Sequence, residues 1–493
     1  MWEDDTKLVG YAQPSRPPIS YLRFTHPTFS GPCPGCHLMV NQGPSLALTP
    51  LNGASYNTKV SASQTMTPIR RPLVALASLG CKLNQSEVES LARDFVRAGC
   101  SLAEAGQEPD VFVVNTCTVT HTADAKARQL VREARRKNPM VFVVAAGCYA
   151  QRASPELRAC GADLVVGNKD KAGLAESVAS ALARSPLSTC GALTASTPRR
   201  RTRALVKVQE GCHLGCAYCI VPIVRGQGRS RPVDEVVADV LDRVRWGSRE
   251  VVLTGTEIGA YGRGSTDSQD LESLVRRVLD ETPVERLRLS SLQPQEMTLG
   301  LLAVWQDPRM CRHIHMALQS GSDTVLKAMG RPYSVAQYRD VAQWCRQAIP
   351  DLALTTDVIV GFPGESEADF AESYEFCQSM GFARIHVFPY SAREGTPAAR
   401  WPQVPEVEKR RRARLLLALA GEASRYFAGR FLGRTVEVLW EGEVEPGLRV
   451  GHTGNYLRVL APSSQTLAQR IAPARLVDLT EGGIRAEAMP SLG

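Results

Sequence analysis

The sequence predicts an α/β protein of three folded units: an N-terminal parallel-sheet α/β domain, a partial (β/α)6 barrel and a small C-terminal β-barrel. Three observations carry that prediction. At ~150 residues per domain, a chain of 493 residues divides into about three domains. Short apolar runs alternate with helical stretches through two long series, which is the signature of parallel sheets. After Gly433 the alternation stops and short strands follow one another directly.

Residues 1–70 stand outside these units. Pro14, Pro17, Pro18, Pro27, Pro32, Pro34, Pro44 and Pro50 are scattered through them without a sustained period, so they read as an unstructured leader or, because Met66 directly precedes the first strand, a start-site artefact. Cys33 and Cys36, followed by His37, form a lone C-x-x-C with no second pair at zinc spacing. The first series fills 71–183, with strands at 73–77, 111–114, 141–144 and 164–166 and helices at about 85–98, 123–137 and 172–183. Residues 184–203 lose all period, contain no acid and carry a charge of +5, as a basic linker does. The second series fills 204–398, with six strands near 206–209, 251–254, 287–290, 314–318, 356–360 and 385–388. Helices are expected between them at 233–244, 271–279, 335–348 and 367–380. A basic helix occupies 399–433, and 434–493 forms the β domain and tail, with strands at 435–439 and 455–460.

Hydrophobic residues at 44% and charged residues at 22% exclude a disordered, collagen-like or coiled-coil chain. No run of ~18 apolar residues is present, and Asp4, Asp5 and Lys7 sit where a secretory signal would be apolar, so a cytoplasmic protein without a membrane span is expected. Fourteen cysteines are too few for a disulfide scaffold in so long a chain. They are candidate metal ligands or core residues.

Cys212, Cys216 and Cys219 form a C-x3-C-x2-C just beyond the first strand of the second series. Three thiolates fill three corners of a cubane cluster and leave the fourth iron open to a ligand, whereas electron-transfer clusters and structural zinc sites take four protein ligands. Cys81, Cys117 and Cys148 each follow a strand of the first series. Successive strand ends lie on one edge of a parallel sheet, so these three fit a second cluster, though incidental core thiols fit the spacing equally. Cys100, Cys160, Cys190, Cys311, Cys345 and Cys377 lack that placement and read as buried or incidental thiols.

The C-x3-C-x2-C, with Tyr218 before its last cysteine and β/α repeats around it, resembles the radical S-adenosylmethionine superfamily over about 203–398. The resemblance implies that the open iron holds the amino and carboxylate groups of S-adenosylmethionine, whose reductive cleavage yields a 5′-deoxyadenosyl radical. It also implies cofactor contacts from Tyr218, from Gly255 and Glu257 after the second strand, from Ser320 after the fourth and from Asp357 on the fifth. A capping or turn role competes at Ser320 and Asp357.

Residues 78–87, 115–129 and 147–151, all upstream of Gln209-Glu210-Gly211-Cys212, are similar to the methylthiotransferase family, and the likeness covers about 71–460. It implies two [4Fe-4S] clusters, S-adenosylmethionine, and a TRAM-like C-terminal barrel. Cys81, Cys117 and Cys148 then hold the cluster that carries the sulfur to be delivered; one S-adenosylmethionine methylates that sulfur, and a second activates the substrate carbon. Thr118-Val119-Thr120 after Cys117, and Tyr390-Ser391-Ala392-Arg393 after the last strand, are most similar to the branch acting on N6-threonylcarbamoyladenosine beside the tRNA anticodon. Isopentenyladenosine in tRNA, or an aspartate of a ribosomal protein, is the alternative substrate, and a non-catalytic iron–sulfur RNA-binding protein is the rival of another class. The implied partners are tRNA, a reduced electron donor such as flavodoxin or ferredoxin, and a sulfide source that no residue specifies.

Charge favours RNA. Residues 398–434 contain nine Arg or Lys and three Glu, +6 of the chain's net +8, densest from Lys409 to Arg414. A solvated helix face is the competing reading, and the tail from 435 onward is net −2, with five basic and seven acidic residues.

Overall fold

The computed structural model describes residues 71–104, 106–183, 202–264, 269–462 and 467–489. The leader with Cys33 and Cys36, and the linker through 201, lie outside the described residues.

The first unit contains β1 (Leu73–Ser78), α1 (Lys82–Arg97), β2 (Ser101–Leu102), β3 (Val111–Thr116), α2 (His121–Lys137), β4 (Phe142–Gly147), α3 (Cys148–Arg152), α4 (Ser154–Ala159), β5 (Leu164–Val166) and α5 (Leu174–Ala183). Its strands form one parallel sheet in the order β2-β1-β3-β4-β5. All six residues of β3 are buried, because the sheet is covered on both faces. Leu91 and Phe95 of α1 pack on one face with Val74 and Val113, while Ala127 and Val131 of α2 pack on the other with Val114 and Tyr149. Thr120 caps α2, its hydroxyl accepting the Ala123 N–H at 3.1 Å. The strand order reverses between β1 and β3, and in such sheets a ligand binds in the crevice beyond those strand ends.

The second unit contains β6 (Arg203–Lys207), β7 (Gln209–Glu210), α6 (Val221–Arg225), β8 (Arg229–Ser230), α7 (Val233–Arg245), β9 (Glu250–Thr254), α8 (Leu271–Glu281), β10 (Arg286–Leu289), β11 (Ser291–Leu292) and α9 (Leu299–Ala303). It continues with β12 (His313–Met316), α10 (Asp323–Met329), α11 (Val335–Ala348), β13 (Ala353–Val360), α12 (Glu367–Ser379) and β14 (Arg384–Pro389). Two parallel arcs, β10-β9-β6 and β11-β12-β13-β14, meet through the single bridge Leu287–Met310. Among the described residues β14 does not pair with β6, so the barrel is open on that side. Helix α1 of the first unit lies against β6, with Ser86 Oγ donating to the Leu205 carbonyl at 3.1 Å. Strand β6 begins at Arg203, inside the stretch expected as linker, because Leu205 and Val206 enter the barrel core.

Helix α13 (Glu406–Gly429) packs beside β14, burying Leu416, Leu419 and Phe427. The chain then closes a five-stranded barrel from β15 (Thr435–Glu445), β16 (Leu448–Thr453), β17 (Arg458–Pro462), β18 (Ile471–Thr480) and β19 (Gly483–Ala488) around fully buried Trp440. The strand expected at 455–460 starts only at Arg458, because the chain turns at Tyr456, whose φ is +69°. That turn places Tyr456 beneath the second unit, with the Arg288 guanidinium 4.3 Å from its ring centre and Lys82 of α1 at 5.6 Å. No described helix is long and apolar enough to cross a membrane.

Candidate active site between two cysteine triads

The carboxyl ends of both parallel sheets open into one cavity of about 260 Å³. Cys81, Cys117 and Cys148 line it from the first unit and Cys212, Cys216 and Cys219 from the second, with Ile220 and Val224 of the second unit packed against Cys148.

The first triad sits at the switch point of its sheet. Cys81 caps α1 after β1, Cys117 follows β3, and Cys148 opens α3 after β4. Burial pushes the thiols of Cys81 and Cys117 above their ordinary value, and each neighbouring sulfur pushes further in the same direction. Thiolates therefore form there when iron replaces their protons. Gly80 makes the convergence possible: its φ is +94°, and a Cβ on it would lie 2.4 Å from Cys117 Cβ and 2.6 Å from Cys117 Sγ. Gly80→Ala is accordingly expected to lose the iron of the first triad, about four per chain, while the second triad keeps its own. Iron analysis of the anaerobically purified variant checks this.

The second triad is held by its backbone. Gln209 Oε1 accepts the N–H groups of Thr256 and Glu257 at 3.0 and 2.9 Å, while its Nε2 donates to the Gly211 carbonyl at 2.8 Å. Glu257 Oε2 accepts the His213 N–H at 2.9 Å inside the cysteine loop. Its other oxygen, Oε1, is buried without a hydrogen-bond partner and 3.6 Å from Arg263 Nη1. Arg331 sets Nη1 3.3 Å from Cys216 Sγ. Burial raises Cys212 and takes Cys219 to about 12. Three thiols from each unit converge on one cavity, the donor set that an iron–sulfur cluster with one open iron takes.

Of the other sequence-expected contacts, Tyr218, Gly255, Glu257 and Asp357 line the cavity. Ser320 does not: it is buried 3.1 Å from Ser373 Oγ and accepts the Ser322 N–H, the turn role that competed with cofactor binding. The basic helix also differs from expectation. Lys409 pairs with Glu406, Arg411 with Glu408 and Glu367, and Arg412 with Glu365 and Glu367, so three of the five cations in the densest run are spent within the chain. Arg410, Arg414 and Arg425 are exposed.

Sequence reasoning missed the charged groups that lock the two units together. Arg225, 2% exposed, donates to Glu87 Oε1 at 2.8 Å and to Glu210 Oε1 at 3.0 Å, and Lys171 Nζ reaches Glu87 Oε2 at 2.6 Å. Burial alone would raise Glu87, but Lys171 and Arg225 hold it well below the usual carboxylate range. Arg393, from the Tyr390-Ser391-Ala392-Arg393 stretch, reaches Asp124 Oδ2 at 2.7 Å, where Arg152 also binds at 2.9 Å. Truncating one partner of such a buried pair costs about 3–5 kcal/mol, because the other charge is left uncompensated. Glu87 and Asp124 lie inside the motif stretches; only their partners across the interface were invisible from spacing.

A three-cysteine loop at the strand ends of an open parallel barrel, facing a second three-cysteine edge across one cavity, defines a radical S-adenosylmethionine enzyme. Comparisons agree: residues 206–377 match the Radical SAM superfamily, and residues 73–167 match Uncharacterized protein family UPF0004. The chain is 36% identical to the threonylcarbamoyladenosine tRNA methylthiotransferase MtaB of Bacillus subtilis (strain 168), over 82% of this chain and 93% of that protein. It is 33% identical to the protein of that name from Thermotoga maritima, over 78% and 90%. It is also 31% identical to a tRNA-2-methylthio-N(6)-dimethylallyladenosine synthase of Methylacidiphilum infernorum, over 83% and 93%. The chain belongs to the radical S-adenosylmethionine methylthiotransferase family. Its cofactors are S-adenosylmethionine and [4Fe-4S] clusters.

Proposed function

We propose that the chain converts N6-threonylcarbamoyladenosine in tRNA to its 2-methylthio derivative. The single observation that carries this reading is the cavity lined by both triads, since methylthiolation needs a radical source and a sulfur donor within reach of one substrate atom. When bound, the cluster at Cys212, Cys216 and Cys219 supplies the electron that cleaves S-adenosylmethionine, and the cluster at Cys81, Cys117 and Cys148 supplies the sulfur.

The chain's own residues bind, orient and exclude water. Glu257 fixes the cysteine loop through Oε2 and leaves Oε1 to accept the ammonium of S-adenosylmethionine, with Gly255 and Tyr218 beside it. Arg331 fixes the Cys216 side of the loop through Gln293 and Tyr333. Ile220, Val224, Leu292, Ile359 and Phe388 give the cavity apolar walls between the two triads. Arg410, Arg414 and Arg425 are the exposed cations for the phosphate backbone, and the C-terminal barrel adds shape rather than charge. A reduced flavodoxin or ferredoxin is the electron donor, and the reaction runs in the cytoplasm where tRNA is modified.

The choice of the threonylcarbamoyl base rests on the stretches around Cys117 and Arg393 and on the relatives above. Mass spectrometry of tRNA nucleosides from a deletion strain is expected to show 2-methylthio-N6-threonylcarbamoyladenosine replaced by its unthiolated parent. Loss of the methylthio isopentenyl base instead would reassign the substrate, and unchanged tRNA would point to a protein.

A further inference from the structure

Three side chains on neighbouring strands of the second unit meet inside the barrel, none of them a cysteine of either triad. His315 on β12, Asp357 on β13 and His386 on β14 each offer one ligand atom, and these atoms all lie within 4.8 Å of one another. The ladder enforces the meeting: His315 is in register with Thr355, two residues before Asp357, and Asp357 is in register with His386. Two residues along a strand return to the same face, so all three side chains share the barrel interior.

The cluster is not satisfied as ordinary core. His315 Nε2 lies 3.2 Å from Asp357 Oδ2, and among the described residues Asp357 Oδ1 is buried without a hydrogen-bond partner. His315 is 4% exposed and Asp357 8%. Among the described residues Asp357 has no arginine or lysine in ion-pair contact, only His315. A buried carboxylate left in that state is costly, and folded proteins relieve it by pairing or by binding a metal.

The surroundings are those of a ligand. His315 Nδ1 lies 3.0 Å from Thr355 Oγ1, a contact that holds the ring with Nε2 toward Asp357. An outer hydrogen bond of this kind fixes the tautomer and orientation of a metal-binding histidine. Two imidazole nitrogens and one carboxylate make a donor set suited to manganese, iron or zinc, with coordination positions left open. Asp357 also lines the cavity beside Gln319 and Phe388.

We propose that His315, Asp357 and His386 bind a divalent cation in the barrel, distinct from both clusters. Manganese is the probe of choice because its ions prefer these nitrogen and oxygen donors to thiolates. Chelator-treated enzyme carrying both clusters is titrated anaerobically with Mn2+, and free ion is read from its EPR signal. The wild-type chain is expected to take up one Mn2+ more than Asp357→Asn or His386→Ala, or to bind it at least about tenfold more tightly, with cluster iron unchanged. Pulsed EPR of Mn2+ on the wild-type chain supplies a readout that no variant's folding affects, and imidazole nitrogen coupling is expected. Equal uptake by wild type and well-folded variants, or bound Mn2+ without nitrogen coupling, overturns the proposal. Neither readout depends on tRNA thiolation, so the site and the proposed reaction stand or fall separately.

Discussion

A Cys216→Ala enzyme is expected to form no detectable 5′-deoxyadenosine from S-adenosylmethionine under reducing conditions, while retaining about four iron per chain in the first triad. Three thiolates are the minimum that leaves one open iron, so losing one removes the cluster rather than weakening it. The damage stays local for a physical reason. Cys216 is buried in a loop fixed by backbone hydrogen bonds, including Cys212 N–H to the Gly226 carbonyl at 3.2 Å and Ala217 N–H to the Met329 carbonyl at 2.9 Å. Arg331 loses one partner but keeps Tyr333 and Gln293. Liquid chromatography of the reaction products checks the outcome, and cleavage at the wild-type rate would remove the second unit from its assigned task.

Cys117→Ala is expected to separate the two tasks. The variant should cleave S-adenosylmethionine, keep about four iron per chain at the second triad, and yield no methylthiolated nucleoside. Cys117 is 2% exposed and packs against Gly80, so alanine leaves a small void without a buried charge. The hazard lies next door, because Thr118 hydroxyl donates to Asp124 at 2.6 Å and Arg393 bridges to that same carboxylate from the second unit. A melting curve close to wild type shows that this lock survived. Loss of cleavage together with thiolation, in a variant that melts normally, would contradict the division of labour between the units.

The parallel sheets, the strand-end position of all six cysteines and the long helices were legible in the sequence because each rests on a local period or spacing. Helix 335–348 matched to the residue, since Ser334 and Gln337 form a capping box at its start. What lay hidden depends on pairing across distance. Strand β2 has only two residues and no period to read. Arg225 and Arg393 carry no local signal that they reach Glu87 and Asp124 in another unit. The helix from Lys409 to Arg414 read as an RNA surface because composition counts charges but not their partners. Ser320 shows the same limit: its place after β12 was legible, but its contact with Ser373 across the fold was not.

The shared cavity changes the kinetic character of sulfur delivery. In the proposed reaction, walls from both units of a single chain hold the sulfur donor beside the carbon of a bound nucleotide, so once the tRNA is bound their meeting depends on geometry and not on concentration. Well-oriented intramolecular partners behave as if present at about 10⁵ M or more, far beyond what a freely diffusing sulfide could reach. The buried locks at Arg225 and Arg393 hold that advantage in place, because they fix the distance between two rigid sheet edges and leave no joint in which it can relax.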